Sequence, residues 1–130
     1  MFDISDMTNP KEISSVTVGR RNSFSNLLYN PKELCFDREK SLLAFTVYTY
    51  GYNDYKNEYH QATQDAYVFR ITGKTIALRG VVTQQTNGAQ NQSRFAKRVI
   101  YIGDVLYTLS DAAVQANSLK TLKHISAAVY

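Results

Sequence analysis

The feature that most constrains the fold is a strand, a tight turn and a returning strand that recur along the chain. The pattern is present in residues 2–18, with its turn over Asp6–Pro10, and comparable segments follow at 66–84 and 113–129. Tyr, Phe, Val, Ile and Thr in these segments suit the pleated, half-buried surface of a sheet. The recurrence predicts a repeating all-β assembly in which each unit packs on its neighbours. Because the chain opens within such a unit, we expect it to belong to a longer assembly.

The composition fits one domain with a modest core. The chain has 130 residues, with ten Tyr, six Phe, two Pro and no Trp, so few positions interrupt a strand. The net charge is +4, and the basic residues are spread from Lys11 to Lys123. A nucleic-acid interface would concentrate them in one stripe, so we expect no nucleic-acid binding. The sequence has neither a signal peptide nor an apolar run of transmembrane length, and we expect no membrane insertion.

Chemically reactive motifs are lacking in the sequence. Cys35 is the single cysteine, which excludes an internal disulfide or a zinc cluster. Polar and apolar residues alternate over Glu33–Asp37, which predicts a thiol that points inward and behaves as a small apolar group. No nucleophile elbow, zinc-protease motif or phosphate loop is present. We therefore assign no catalytic residue, no metal and no cofactor.

Apolar runs and polar turns predict the strands. A first set of four begins at Glu33, Leu42, Ala66 and Thr75, and a second set begins at Lys97, Val105, Ala113 and Leu122. Gly51–Gln64 is predicted to be a long polar loop. Ser110–Ile125 could form a capped helix, but Asn117-Ser118 interrupts that pattern, and we favour two short strands.

The strand order predicts the fold class. Two strands followed by two sets of four correspond to blades of a β-propeller, although periodicity alone does not separate this fold from a β-sandwich. We predict an all-β fold of antiparallel four-stranded, blade-like sheets, a partial β-propeller of about two and a half blades. Residues 1–130 would form a single domain, with the end of one blade at 1–18, a second blade at 33–84 and a third at 97–129.

A family resemblance agrees with this prediction. The residues that carry it are Phe2–Asp6 with Asn9–Glu12, Leu28-Tyr29, Phe36–Lys40 with Leu42-Leu43, Ala66–Phe69, Arg98–Ser110 and Leu119–Lys123. In these segments the chain resembles the C-terminal part of a family of secreted prokaryotic β-propeller proteins, distantly related to WD-repeat propellers. It departs from them at Asn30-Pro31, where members typically have Asp-His, and at Asp65, where they often have Gly. The resemblance implies a scaffold that is secreted or displayed at the cell surface.

The most distinctive candidate site is rich in tyrosine. Tyr provides large, rigid contact area at low entropic cost, which suits recognition of a protein or a glycan. The candidate binding residues are Tyr50, Tyr52, Asn53, Asp54, Tyr55 and Tyr59. The alternative is that Tyr48, Tyr50 and Tyr52 only extend a strand and the remainder is a disordered tip. Asp54, Glu58, His60 and Asp65 are also near one another, but their spacing fits neither a calcium loop nor a zinc motif.

These observations predict a non-catalytic structural or interaction module, the C-terminal part of an exported propeller. The alternative is a fragment of a propeller-scaffold enzyme, hydrolase-like, whose catalytic residues lie mostly outside this chain. Closed propellers usually need about four to eight blades, so exposed blade surfaces predict self-association or pairing with further upstream blades.

Overall fold

The computed structural model describes residues 1–19, 21–53, 58–86 and 91–130, with 51–53 and 58–61 described as backbone alone. Ten strands form three antiparallel sheets in the described ranges. A two-stranded sheet pairs β1 (Phe2–Asp3) with β2 (Lys11–Glu12). A four-stranded sheet corresponds to the blade predicted at 33–84 and is called the first blade from here on; it orders β3 (Cys35–Asp37), β4 (Leu42–Asn53), β5 (Glu58–Ile71) and β6 (Ile76–Val82). The sheet called the second blade corresponds to the one predicted at 97–129 and orders β7 (Arg98–Ile102), β8 (Val105–Leu109), β9 (Ala113–Ser118) and β10 (His124–Val129).

The returning strand predicted after the Asp6–Pro10 turn, up to residue 18, is much shorter in the structure. Strand β2 ends at Glu12, and the residues that follow it alternate between half-buried and exposed without joining a ladder. Ser14 contacts the first blade through its side chain, since its Oγ accepts a hydrogen bond of 3.0 Å from the backbone N–H of Ile76. Ile13 and Ser14 are therefore held by backbone hydrogen bonds to Met1, and the Ser14 side chain anchors the segment on the first blade.

The predicted loop over Gly51–Gln64 is wrong over most of its length. Strands β4 and β5 pair in register from Leu42 opposite Arg70 to Asn53 opposite Glu58, with one irregularity after Thr49. Polar residues suggested a loop, yet backbone pairing does not require apolar side chains. In the ambiguous segment 110–125, the structure has the two-strand alternative, with β9 and the start of β10.

The core lies between the two blades. Alternate residues of β4 and β5 face the second blade: Leu42, Ala44, Ala66 and Val68 are all fully buried. They pack in one cluster with Val99, Leu106 and Leu119 of the second blade. Cys35 belongs to the same cluster, so its thiol points inward as the alternation predicted. Burial of apolar surface between the sheets is the main force that holds the blades together.

Polar contacts add specific ties between the blades. The Tyr101 hydroxyl donates a hydrogen bond to the Asp37 carboxylate. Gln84, which is only 2% exposed, donates to the Thr108 carbonyl at 2.8 Å and accepts from the Ser110 hydroxyl at 2.7 Å. Such ties fix the relative position of the two sheets, because an unmatched polar group in this interface would be costly.

Candidate functional site

The tyrosine-rich segment forms a two-stranded ribbon that extends beyond the first blade. The ribbon consists of residues 47–53 of β4 paired with residues 58–65 of β5. Pairing of β3 with β4 ends at Cys35 opposite Ala44, and pairing of β6 with β5 ends at Val82 opposite Ala66. Strands β4 and β5 continue to pair with each other past these positions. The ribbon therefore projects from the end of the blade that is opposite to the β3–β4 and β5–β6 turns.

The base of the ribbon is an aromatic cluster. The Tyr48 ring stacks on Phe24 with ring centroids 5.0 Å apart. It also makes edge contacts with Phe95, at 5.8 Å, and with Tyr50, at 5.5 Å. Phe24 pairs with Tyr48 by two backbone hydrogen bonds as well. These contacts hold Tyr48 and orient Tyr50, since offset and edge-to-face ring pairs have preferred geometries.

Tyr50 is the candidate residue whose side chain the structure describes. It lies in β4 and is 51% exposed, with one side against the Tyr48 ring. A large aromatic side chain that is half exposed and held by a neighbouring ring suits recognition.

The other candidate residues are placed less completely. Tyr52 and Asn53 lie in β4 and Tyr59 lies in β5, where Tyr52 pairs directly with Tyr59. Asp54 and Tyr55 lie outside the described residues. The structure thus brings Tyr50, Tyr52, Asn53 and Tyr59 into one ribbon through the register of its two strands.

The sequence did not point to Phe24 and Phe95 as parts of this site. Both are far from Tyr48 along the chain, and their contacts with it are set by how the N-terminal segment and the second blade pack. No local spacing could have predicted them.

Two of the reactive side chains outside the ribbon, Cys35 and Asp37, take part in the contact between the blades. Burial raises the pKa of the Cys35 thiol, with a further contribution from the charge of Asp37, so the thiol stays protonated at neutral pH. The hydrogen bond from Tyr101 lowers the pKa of Asp37, and the same bond raises the pKa of Tyr101. His124 is exposed on the edge strand β10.

The acidic residues near the ribbon do not assemble a metal centre in the part of the chain that is described. Within that part, no group of three or more His, Cys, Asp and Glu side chains is close enough to hold an ion. Asp65 is buried, and its Oδ1 has no hydrogen-bond partner among the described residues. None of the described helices is long and apolar enough to span a membrane.

Comparison with known families decides what these sheets represent. The model of a family described as a β-propeller domain matches residues 1–122. The chain belongs to the β-propeller domain family. The two four-stranded antiparallel sheets agree with that assignment, and the all-β fold class predicted from the strand order is confirmed. No curated protein and no solved structure matches the chain significantly. Membership of this family indicates an interaction or scaffold module.

Proposed function

We propose that this β-propeller domain is a non-catalytic interaction module of an exported protein, and that its ribbon binds a protein or a glycan. The observation that supports this most is the exposed Tyr50 ring above a packed aromatic base. A binding residue that is already ordered loses less entropy when a partner arrives. The long β4–β5 hairpin carries that residue away from the body of the blade.

The chemistry of the described side chains supports a non-catalytic role. The Cys35 thiol is buried and its pKa is raised, so it is a poor nucleophile. Asp37 is engaged by Tyr101 and is part of the contact between blades. These groups serve packing, which leaves recognition as the function that the exposed surface suits best.

The outer faces of the blades support association with further blade surfaces. Ile100 and Ile102 alternate in β7 with Val99 and Tyr101, which pack toward the first blade, and Ile102 is 66% exposed. Phe36 in the first blade likewise alternates with the buried Cys35 and is exposed. Apolar residues on an outer sheet face lose contact with water when another sheet covers them. We propose that a second copy of the chain or additional upstream blades cover these faces.

The ribbon proposal is tested with arrays of immobilised glycans and peptides. Fluorescently labelled chain is compared with Tyr50→Ser and with Tyr29→Ser, since Tyr29 is also exposed but lies outside the ribbon. We expect Tyr50→Ser to weaken binding about tenfold or more, as loss of a central aromatic contact does. Tyr29→Ser should bind as the parent does. Binding that survives Tyr50→Ser, or no signal on either array, would contradict the proposal.

A further inference from the structure

A concave surface lies at the other end of the blades, far from the ribbon. It is a cleft of about 450 Å³ formed where the β3–β4 turn and the end of β5 meet the β7–β8 and β9–β10 turns. The residues that line it are Lys40, Ser41, Arg70, Arg79, Asp104, Ser118, Leu119 and Lys120. Its volume falls within the range of small-molecule sites, about 300–1,000 Å³.

The lining of this cleft is strongly basic. It contains four cationic side chains and one carboxylate. Asp104 accepts from Lys40 Nζ at 3.4 Å, but the Asp104 side chain is 94% exposed, so water screens much of that attraction. The cleft therefore keeps an excess of positive charge, which raises its affinity for anions and repels cations.

Two of the cations in this lining, the side chains of Arg70 and Lys120, make no hydrogen bond and no ion pair among the described residues. Arg70 is exposed and pairs with Leu42 across β4 and β5. It therefore lies at the end of β5, on the sheet face that packs on the second blade. A guanidinium in this position can offer two parallel N–H donors to a phosphate or carboxylate group.

A third cation fixes the shape of the cleft. Arg79 Nη2 donates to the carbonyl oxygens of Leu119 at 2.6 Å and of Lys120 at 2.9 Å. This contact joins β6 of the first blade to the β9–β10 turn of the second. Next to it, a Cβ at Gly80 would lie 2.9 Å from Leu122 Cδ1, so the two blades approach closely here. The basic side chains therefore line a cleft whose shape is held by direct contact between the blades.

We propose that this inter-blade cleft binds a small multivalent anion, a molecule that carries phosphate or carboxylate groups. Arg70 and Lys120 are the residues that contact it, and the Ser41 and Ser118 hydroxyls lie within the same lining as further donors. The site is independent of the ribbon, because the two surfaces lie at opposite ends of the strands.

The experiment is calorimetric titration of the 130-residue chain with pyrophosphate and with citrate at constant ionic strength. We expect one saturable site, weakened about tenfold or more in the double variant Arg70→Gln/Lys120→Gln, which removes two charge-assisted contacts. The control is Lys11→Gln/Lys123→Gln, which removes the same charge at exposed positions outside the cleft and should bind within about twofold of the parent. Both double variants should unfold as the parent does in urea.

Three results would overturn the proposal. The first is the absence of saturable binding by either anion. The second is equal weakening in the two double variants, which would mean that the attraction comes from diffuse surface charge. The third is preferential binding of a poly-glutamate peptide over both small anions at the same ionic strength, which would mean that the cleft docks an acidic peptide.

Discussion

At the scale of single residues, Gln84 shows how a polar side chain can specify the way two apolar sheets meet. It lies just after β6, is almost fully buried, and reaches the backbone and hydroxyl of Thr108 and the hydroxyl of Ser110. Each of these partners belongs to the second blade or to the turn that follows β8. Sliding of one blade past the other would break all three hydrogen bonds at once.

Gln84→Met is expected to lower the free energy of unfolding by about 1–3 kcal/mol, because it removes these hydrogen bonds at a site that water does not reach. Equilibrium urea unfolding measures the change. The matched control is Gln92→Met, since Gln92 is exposed on the short turn before β7. Equal effects of the two substitutions would show that the Gln84 contacts do not matter.

The hydrogen bond between Tyr101 and Asp37 predicts that the free energy of unfolding depends on pH. The pKa of Asp37 is lowered in the folded state, so its contribution to stability is present above the unfolded value of about 3.9 and is lost as the pH falls through the folded pKa. The pKa of Tyr101 is raised, so its contribution is present below about 10 and is lost as the pH rises through the folded pKa. The contact thus stabilises the fold across the neutral range.

Tyr101→Phe should therefore lower the free energy of unfolding at pH 7. The difference in this free energy between the variant and the parent should shrink in strong acid and in strong base. The measurement is urea unfolding across a pH series. Tyr107→Phe is the control, since Tyr107 is half-buried in β8 and its hydroxyl has no hydrogen-bond partner in the described part of the chain. If the difference in unfolding free energy between Tyr101→Phe and the parent stayed constant into strong acid, the stabilising role of the ionised Asp37 carboxylate would be ruled out.

At the scale of strands, the sequence was most informative where a structure depends on neighbouring residues alone. Strand β8 begins at Val105, as predicted, because it follows a Gly103-Asp104 turn in which Gly103 has a φ of 58°. The Gly51–Gln64 segment was missed because its pairing depends on a partner strand rather than on its own composition. The aromatic base of the ribbon was missed for the same reason.

The packing of one sheet on the other predicts the effect of a core truncation in β8. Leu106 is fully buried in the cluster between the blades. Leu106→Ala is expected to cost about 2–5 kcal/mol in unfolding free energy, from lost burial and the cavity left behind. Leu78→Ala, at an exposed position of β6, is the control and should cost about 1 kcal/mol or less. Similar costs at the two positions would mean that the sheets do not share one core.

At the scale of the whole molecule, each blade uses one face to pack on the other and leaves apolar residues on its outer face. The family assignment and the two sheets fit consecutive units of a propeller. Packing between units is repeated in such folds, so the surface that one unit presents resembles the surface that its neighbour buries. Our account therefore expects the outer faces to associate with matching sheet surfaces.

Light scattering coupled to size-exclusion chromatography tests this expectation most directly. We predict that the 130-residue chain forms a defined oligomer, and that Ile102→Lys on the outer face of β7 shifts it toward monomer. Leu28→Lys is the control, because Leu28 is exposed on a short turn outside the blade sheets. A folded monomer at every concentration would contradict the account, since the chain would then keep its outer faces in water without a partner.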